Sequence, residues 1–199
     1  MKVMIRGGGI AAGHGVDKGY IDIMKQALPE IEVRNQSRYG DTSFHGVRTF
    51  YEDIDPYRPD ILLIHFGIDD AYRGVYRSEF KENLVRMIQL ARSRFHPFIA
   101  LLTSHLFENP DESHMIEGYY RAIREVAADL SCTWVPVHAY WIGKIEEKGP
   151  SISSYLQKDW RYPNERGHEL YAEAVLNRIC PLVQKTKKGE RDVGRHQGH

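Results

Sequence analysis

The chain has 199 residues, 42% of them apolar, which fits one globular domain and does not point to disorder. Lys+Arg and Asp+Glu balance at 27 each, so no net field points to nucleic acid or to an anionic membrane surface. No apolar run reaches the ~18–20 residues that span a bilayer, and Met1–Ile5 is too short for a signal-peptide core. Two cysteines, Cys132 and Cys180, form no framework, so a reducing, cytoplasmic setting is expected.

Strand-like and helix-like segments alternate along the chain. Lys2–Arg6 predicts a strand, followed by the glycine-rich run Gly7–Gly13. Tyr20, Ile23, Met24, Ala27 and Leu28 recur at helical spacing up to Pro29. Residues 31–35 predict a second strand and 44–54 a short helix. Ile61–Phe66 is almost unbroken in its apolarity, as in a parallel strand covered on both faces. Ser78 is placed as the N-cap of a helix running to Phe95. Residues 98–102, 111–130 and 133–137 predict a strand, a helix and a fifth strand. A short segment, 138–148, and a loop, 149–154, lead to a last helix over about 164–183. The expected domain is 1–184, with 185–199 as a flexible polar tail.

Five strands separated by helices imply a doubly wound sheet with helices on both faces. Ligands in such folds bind beyond the carboxyl ends of the strands. A small-molecule ligand there is the expected partner.

The Gly7–Gly13 run alone is compatible with a dinucleotide loop or with a tight turn that needs small residues. The acidic residue usual after the second strand is missing, since Asn35-Gln36-Ser37-Arg38 stands there. Four blocks together are more specific. Gly7-Gly8-Gly9-Ile10-Ala11-Ala12-Gly13, Tyr39-Gly40-Asp41-Thr42, Gly67-Ile68-Asp69-Asp70 and Asp159-Trp160-Arg161-Tyr162-Pro163-Asn164, with Gly167-His168 after it, occur in order. This pattern resembles the SGNH/GDSL hydrolase family.

The resemblance implies a three-layer α/β/α sandwich with a five-stranded parallel sheet of flavodoxin-like type, and no cofactor. It also implies departures from the family's chemistry. Gly9 stands where the family has its serine nucleophile, and Gly8 where it has the neighbouring aspartate. Asp69 stands at the oxyanion asparagine and Tyr162 at the catalytic histidine. Gly40 and Asp159 keep the family residue. A phenol of pKa about 10 is a poor base, and a carboxylate repels a developing oxyanion. Ordinary serine esterase activity is therefore not expected.

The favoured reading is a non-hydrolytic protein that binds a carbohydrate or acyl-bearing metabolite through Gly8, Gly9, Gly40, Asp69, Asp70, Asp159, Tyr162 and His14. Tyr140, Trp141 and Trp160 are candidates for a stacking wall. Tyr72, Arg73, Tyr76 and Arg77 can touch an anionic ligand or simply form a solvated helix start. One alternative is a hydrolase or acyltransferase with a site rebuilt from Asp and His residues. Another is a nucleotide-binding enzyme using Gly7–Gly13. Ser43 and Ser104 are the serines placed to replace the nucleophile, although turn or capping roles are commoner for such residues. Histidines 14, 45, 65, 105 and 138 fall near strand ends, but without HxH or HExxH spacing no metal is assigned.

Overall fold

The computed structural model describes residues 1–148 and 151–195. The strands are β1 (Lys2–Gly7), β2 (Glu32–Asn35), β3 (Ile61–His65), β4 (Phe98–Leu102) and β5 (Thr133–Val135). They form one sheet in the order β2-β1-β3-β4-β5, and every pairing is parallel. All five residues of β3 are buried, as its apolar run requires of a strand covered on both faces.

The helices are α1 (Gly9–Ala12), α2 (Tyr20–Ala27), α3 (Ser43–Arg48), α4 (Phe50–Asp53), α5 (Ile68–Tyr72), α6 (Arg77–Arg94), α7 (Pro110–Asp129), α8 (Val137–Lys148) and α9 (Glu165–Arg195). α6 packs with α3 and α7, while α9 packs with α2 and α8. This gives the α/β/α sandwich. On α6 the buried residues are Phe80, Asn83, Leu84, Met87, Ile88 and Ala91, one stripe at helical spacing. Asn109 caps α7 by accepting the Asp111 N–H at 2.9 Å, ahead of Pro110 in the first turn.

Beyond shifts of a single residue at several element ends, four differences from the sequence reading stand out. The 44–54 helix is two helices broken at Thr49, whose single hydroxyl proton has the Asp53 carboxylate at 2.6 Å and the His45 carbonyl at 2.9 Å as competing acceptors. α6 starts one residue before Ser78, with Tyr76 at the N-cap and no side-chain cap; Glu79 does lie in its first turn. β5 ends at Val135, and the segment after it is the twelve-residue helix α8. α9 runs to Arg195 instead of ending near Val183. The added stretch, 184–195, carries three Lys and two Arg, good helix formers, alongside Gly189 and Gly194. Residues 196–199 of the expected tail lie outside the described residues. Among the described residues no helix is long and apolar enough to cross a membrane.

The strand order reverses between β1 and β3, and the loops leaving their carboxyl ends flank the crevice that such a reversal creates. Gly7–Gly9 leaves β1 and Gly67–Asp70 leaves β3.

Candidate functional site

The turn after β1 approaches β3 closely. Gly8 N–H donates to the His65 carbonyl at 3.2 Å. Gly9 opens the four-residue helix α1, and its N–H donates to Asp69 Oδ2 at 2.7 Å. Asp69 sits on α5, just past β3, and is nine-tenths buried. Its other oxygen, Oδ1, accepts the Tyr162 hydroxyl at 3.3 Å. Tyr162, on the loop before α9, is buried, with 2% of its surface exposed. Four residues predicted for the site, Gly8, Gly9, Asp69 and Tyr162, thus meet at one point, although 93 positions separate Asp69 from Tyr162.

Sterics make these residues mutually dependent. A β-carbon on Gly9 would lie 2.7 Å from Tyr162 Cε1. One on Gly8 would lie 2.2 Å from Asp69 Oδ2 and 2.7 Å from the Asp41 carbonyl. Either β-carbon would force its neighbours to shift, so the two glycines make room for the Asp69 carboxylate and the Tyr162 ring. Burial pushes the Asp69 carboxyl up, against the stabilising Gly9 N–H and Tyr162 hydroxyl. Burial also pushes the Tyr162 phenol well up, with the Asp69 charge adding to it, so it stays a neutral donor.

A raised folded-state pKa means that the Asp69 charge destabilises the native state above that pKa. The penalty fades as pH falls and the carboxyl takes its proton. Asp69→Asn keeps an oxygen for the Gly9 N–H and removes the charge. It is expected to raise Tm at pH 7, by about 2–4 °C per kcal/mol relieved, with a smaller gain at pH 4. Differential scanning calorimetry at the two pH values checks this.

The remaining predicted residues sit around this centre. Gly40 adopts φ +76°, and a β-carbon there would lie 2.6 Å from an Arg73 guanidinium nitrogen. His14 stacks on Tyr39 at 3.8 Å between centroids and meets Tyr162 edge-on at 4.9 Å. Asp159 is half-buried and bound by Arg161, whose Nε donates to it at 2.8 Å; this contact holds its carboxyl below the usual range. Asp70 is fully buried and does not face the crevice's solvent. It accepts the Ser43 N–H at 2.9 Å, the Ser43 hydroxyl at 2.6 Å and the Gly67 N–H at 3.1 Å. These bonds tie the loop after β3 to the start of α3. Its carboxyl is pushed up to about 6 by burial.

Ser43 is fully buried in that network, with Asn83 donating to its hydroxyl at 3.1 Å, and Ser104 is 1% exposed. The histidines predicted at the strand ends form no common ligand set among the described residues, although His65 and His105 both pack on Tyr171. His45 accepts from the Thr42 N–H. His65 faces Tyr20, His105 faces Tyr171, and His138 faces Thr103. Among the described residues no group of three His, Cys, Asp or Glu is arranged to hold a metal ion. Trp141 is fully buried and is core, not a stacking wall; Tyr140 hydrogen-bonds Glu173 on α9; Trp160 is half-exposed.

Sequence reasoning missed four neighbours: Tyr39, Arg161, Gln157 and Glu112. Arg161 directly precedes Tyr162, so its place in the Asp159–Asn164 block was the one signal available for it. Gln157 Nε2 donates 2.8 Å to both the His14 and the Pro163 carbonyls, clamping the loop before α9 onto the loop after β1. Glu112 accepts the Trp160 indole N–H at 2.9 Å and the Tyr72 hydroxyl at 2.6 Å. A cleft of about 400 Å³ opens beside Trp160, Phe107, Leu156 and Lys158.

A parallel 2-1-3-4-5 sheet, a glycine turn after β1, an Asp pair after β3 and a Pro-Asn loop before the last helix define an SGNH-type α/β/α hydrolase fold. Residues 5–170 match the family described as GDSL-like Lipase/Acylhydrolase, and the chain belongs to it. It is 27% identical over 187 residues to "Esterase TesA" of Pseudomonas aeruginosa, covering 91% of this chain and 89% of that protein. It is 23% identical over 184 residues to "Acetylxylan esterase" of Geobacillus stearothermophilus, covering 85% and 82%. In structure it is similar to a catalytic mutant of the acetylxylan esterase Axe2 of Geobacillus stearothermophilus. The TM-score is 0.79 at 21% identity, over 89% of this chain and 93% of that one. The crystal structure of TesA matches with a TM-score of 0.78 at 25% identity, over 92% and 99%.

Proposed function

We propose that this family member does not hydrolyse esters and instead binds a small molecule, a carbohydrate or an acyl-bearing metabolite, at the carboxyl edge of its sheet. The observation that carries this is the 2.7 Å bond from the Gly9 N–H to Asp69 Oδ2. At this turn no side chain can attack a carbonyl. The backbone donor that would steady an acyl oxyanion is already bound to a fixed negative charge. The Tyr162 ring lies against the same position and, as a neutral phenol, takes no proton at neutral pH.

The same bond weighs against the nucleotide reading. α1 has four residues, and Asp69 at its first N–H repels a pyrophosphate. It also weighs against a rebuilt hydrolase. Asp69 is held by two donors and Asp159 by Arg161, which leaves neither as a free base.

The carbohydrate class draws support from the cleft beside Trp160. Its indole is half-exposed, and its N–H is fixed by Glu112, which Tyr72 fixes in turn. A braced aromatic face loses little freedom on stacking a sugar ring. Glu108 and Lys158 at the rim can meet hydroxyls.

The test is thermal unfolding with acetylated and unacetylated xylo-oligosaccharides. The expected result is a saturable rise in Tm, about 2.7 kcal/mol of added stability at 100-fold over Kd, with the sugar recovered intact. Trp160→Ala should abolish the shift. Deacetylation of the sugar, or an equal shift in the Trp160 variant, would refute this reading.

A further inference from the structure

A second cleft, of about 340 Å³, lies at the carboxyl ends of β4 and β5, and none of its lining residues belongs to the Gly9 centre. α7 contributes Ile116, Tyr120, Arg121 and Arg124 from one helical face, at spacings of three and four. Trp134 of β5 and His138 of α8 complete it.

The cleft combines two cations with ring surface, and the Glu117 carboxylate also lines it. The Arg124 guanidinium lies over the Trp134 ring at 5.4 Å, and among the described residues no carboxylate pairs with it. Arg121 pairs with Glu117 at 3.3 Å, but both side chains are over three-fifths exposed. Such a pair holds weakly, and an incoming anion can replace the glutamate. His138 stacks on Tyr120 at 4.8 Å and commits Nδ1 to the Thr103 hydroxyl at 2.7 Å, which leaves Nε2 as its polar edge. The Trp134 ring lines the cleft, while its Nε1–H is buried and has no acceptor among the described residues.

We infer that this cleft binds a compact organic anion, a phosphate or carboxylate on a ring-sized apolar body. The two guanidiniums take the anion by paired hydrogen bonds, and the ring lies among Ile116, Tyr120 and Trp134. The volume is at the lower end of small-molecule sites, so a single ring with its anionic group fills it. The inference does not depend on the reading of the Gly9 centre or on the cleft beside Trp160.

The chain has three tryptophans, so indole N–H resonances locate binding directly. Phenyl phosphate, benzoate and uncharged phenol are titrated into the full-length, ¹⁵N-labelled protein, with Trp134→Phe assigning its signal. The expected result is a saturable shift of the Trp134 indole with phenyl phosphate and benzoate, and at least tenfold weaker binding of phenol. Arg121→Gln/Arg124→Gln should weaken phenyl phosphate binding at least tenfold with Tm within a few degrees of wild type. A stronger response to phosphate than to benzoate identifies the anion as a phosphate; the reverse identifies a carboxylate. A shift confined to Trp160, no shift at all, or unchanged affinity in a folded double variant would overturn the inference.

Discussion

Replacing Gly9 by Ser, Asp69 by Asn and Tyr162 by His together is expected to create esterase activity at least about 10³-fold above the wild-type background on p-nitrophenyl acetate. Activity requires all three groups to be restored together. Gly9→Ser alone puts a β-carbon 2.7 Å from the Tyr162 ring, an overlap that costs about 1–3 kcal/mol of stability and yields a hydroxyl with no base. Tyr162→His alone supplies a base with nothing to activate. Asp69→Asn alone turns a repelling carboxylate into a carboxamide able to donate to an oxyanion. Members of a catalytic unit are strongly non-additive: losing either nucleophile or base costs on the order of 10⁶. The single variants should therefore stay at background while the triple variant does not. Asp159 is bound by Arg161. Adding Arg161→Ala frees the carboxylate to orient the new imidazole and should raise kcat by about tenfold or more. Initial rates across the series check both statements. Equal activity of Gly9→Ser and the triple variant would show that the three positions do not form one unit.

Acid sensitivity is the second large expectation, and it comes from a cluster beneath the crevice. His65, His105 and His168 are at most 3% exposed. Burial is the first cause in each case. It holds His65 down to about 3, His105 to about 4 and His168 to about 4, against an ordinary value near 6.5. Each ring is used as a neutral group. His105 accepts the Tyr171 hydroxyl at 2.9 Å and donates to the Trp160 carbonyl at 3.1 Å; His168 accepts the Tyr20 N–H at 3.1 Å. These folded-state values lie below the unfolded ones. Their contribution is therefore complete above about pH 6.5 and is lost as pH falls toward about 4, where the unfolded chain binds protons that the native state refuses. Each imidazole contributes a slope of roughly 1.4 kcal/mol per pH unit. Asp69 and Asp70 act in the opposite sense. Their raised values let the native state take up protons before the unfolded chain does, Asp70 from about pH 6, and this offsets part of the histidine term. The net loss between pH 7 and 4.5 is then on the order of a few kcal/mol, a large part of a typical domain's stability. Tm should drop by roughly 10 °C. His168→Asn keeps an acceptor for the Tyr20 N–H and cannot titrate, so its stability should fall less steeply with acid. A variant slope equal to that of wild type would contradict the assignment.

Much of the fold was legible because its signals are local. The unbroken run at 61–66 requires a strand covered on both faces, and the spacing of Tyr20, Ile23, Met24 and Ala27 describes one helix face. The meeting of Gly9, Asp69 and Tyr162 was legible only through the ordered blocks that resemble the family; no periodicity brings residue 162 to residue 9. What was not legible depends on tertiary choices among partners. Asp159 has several basic residues within reach, and only the folded loop selects Arg161. His14 lies on a loop in sequence and on the Tyr39 ring in space. Asp70 and Asp69 are neighbours with opposite fates, one bound to Ser43 and one to Gly9, because successive residues of a helix point 100° apart. The histidines near the strand ends share a position but no ligand spacing, and the structure gives His45, His65, His105 and His138 different hydrogen-bond partners. The break at Thr49 turns on one hydroxyl bridging His45 and Asp53, a competition that periodicity does not register.

Treatment of the wild-type protein with a fluorophosphonate, read by intact-mass spectrometry, tests most directly whether the crevice retains an activated nucleophile. With Gly9 bare, Ser43 hydrogen-bonded to Asp70 and Ser104 buried, the mass should be unchanged at neutral pH after hours of exposure. A stoichiometric adduct mapping to any residue of the crevice would contradict the account.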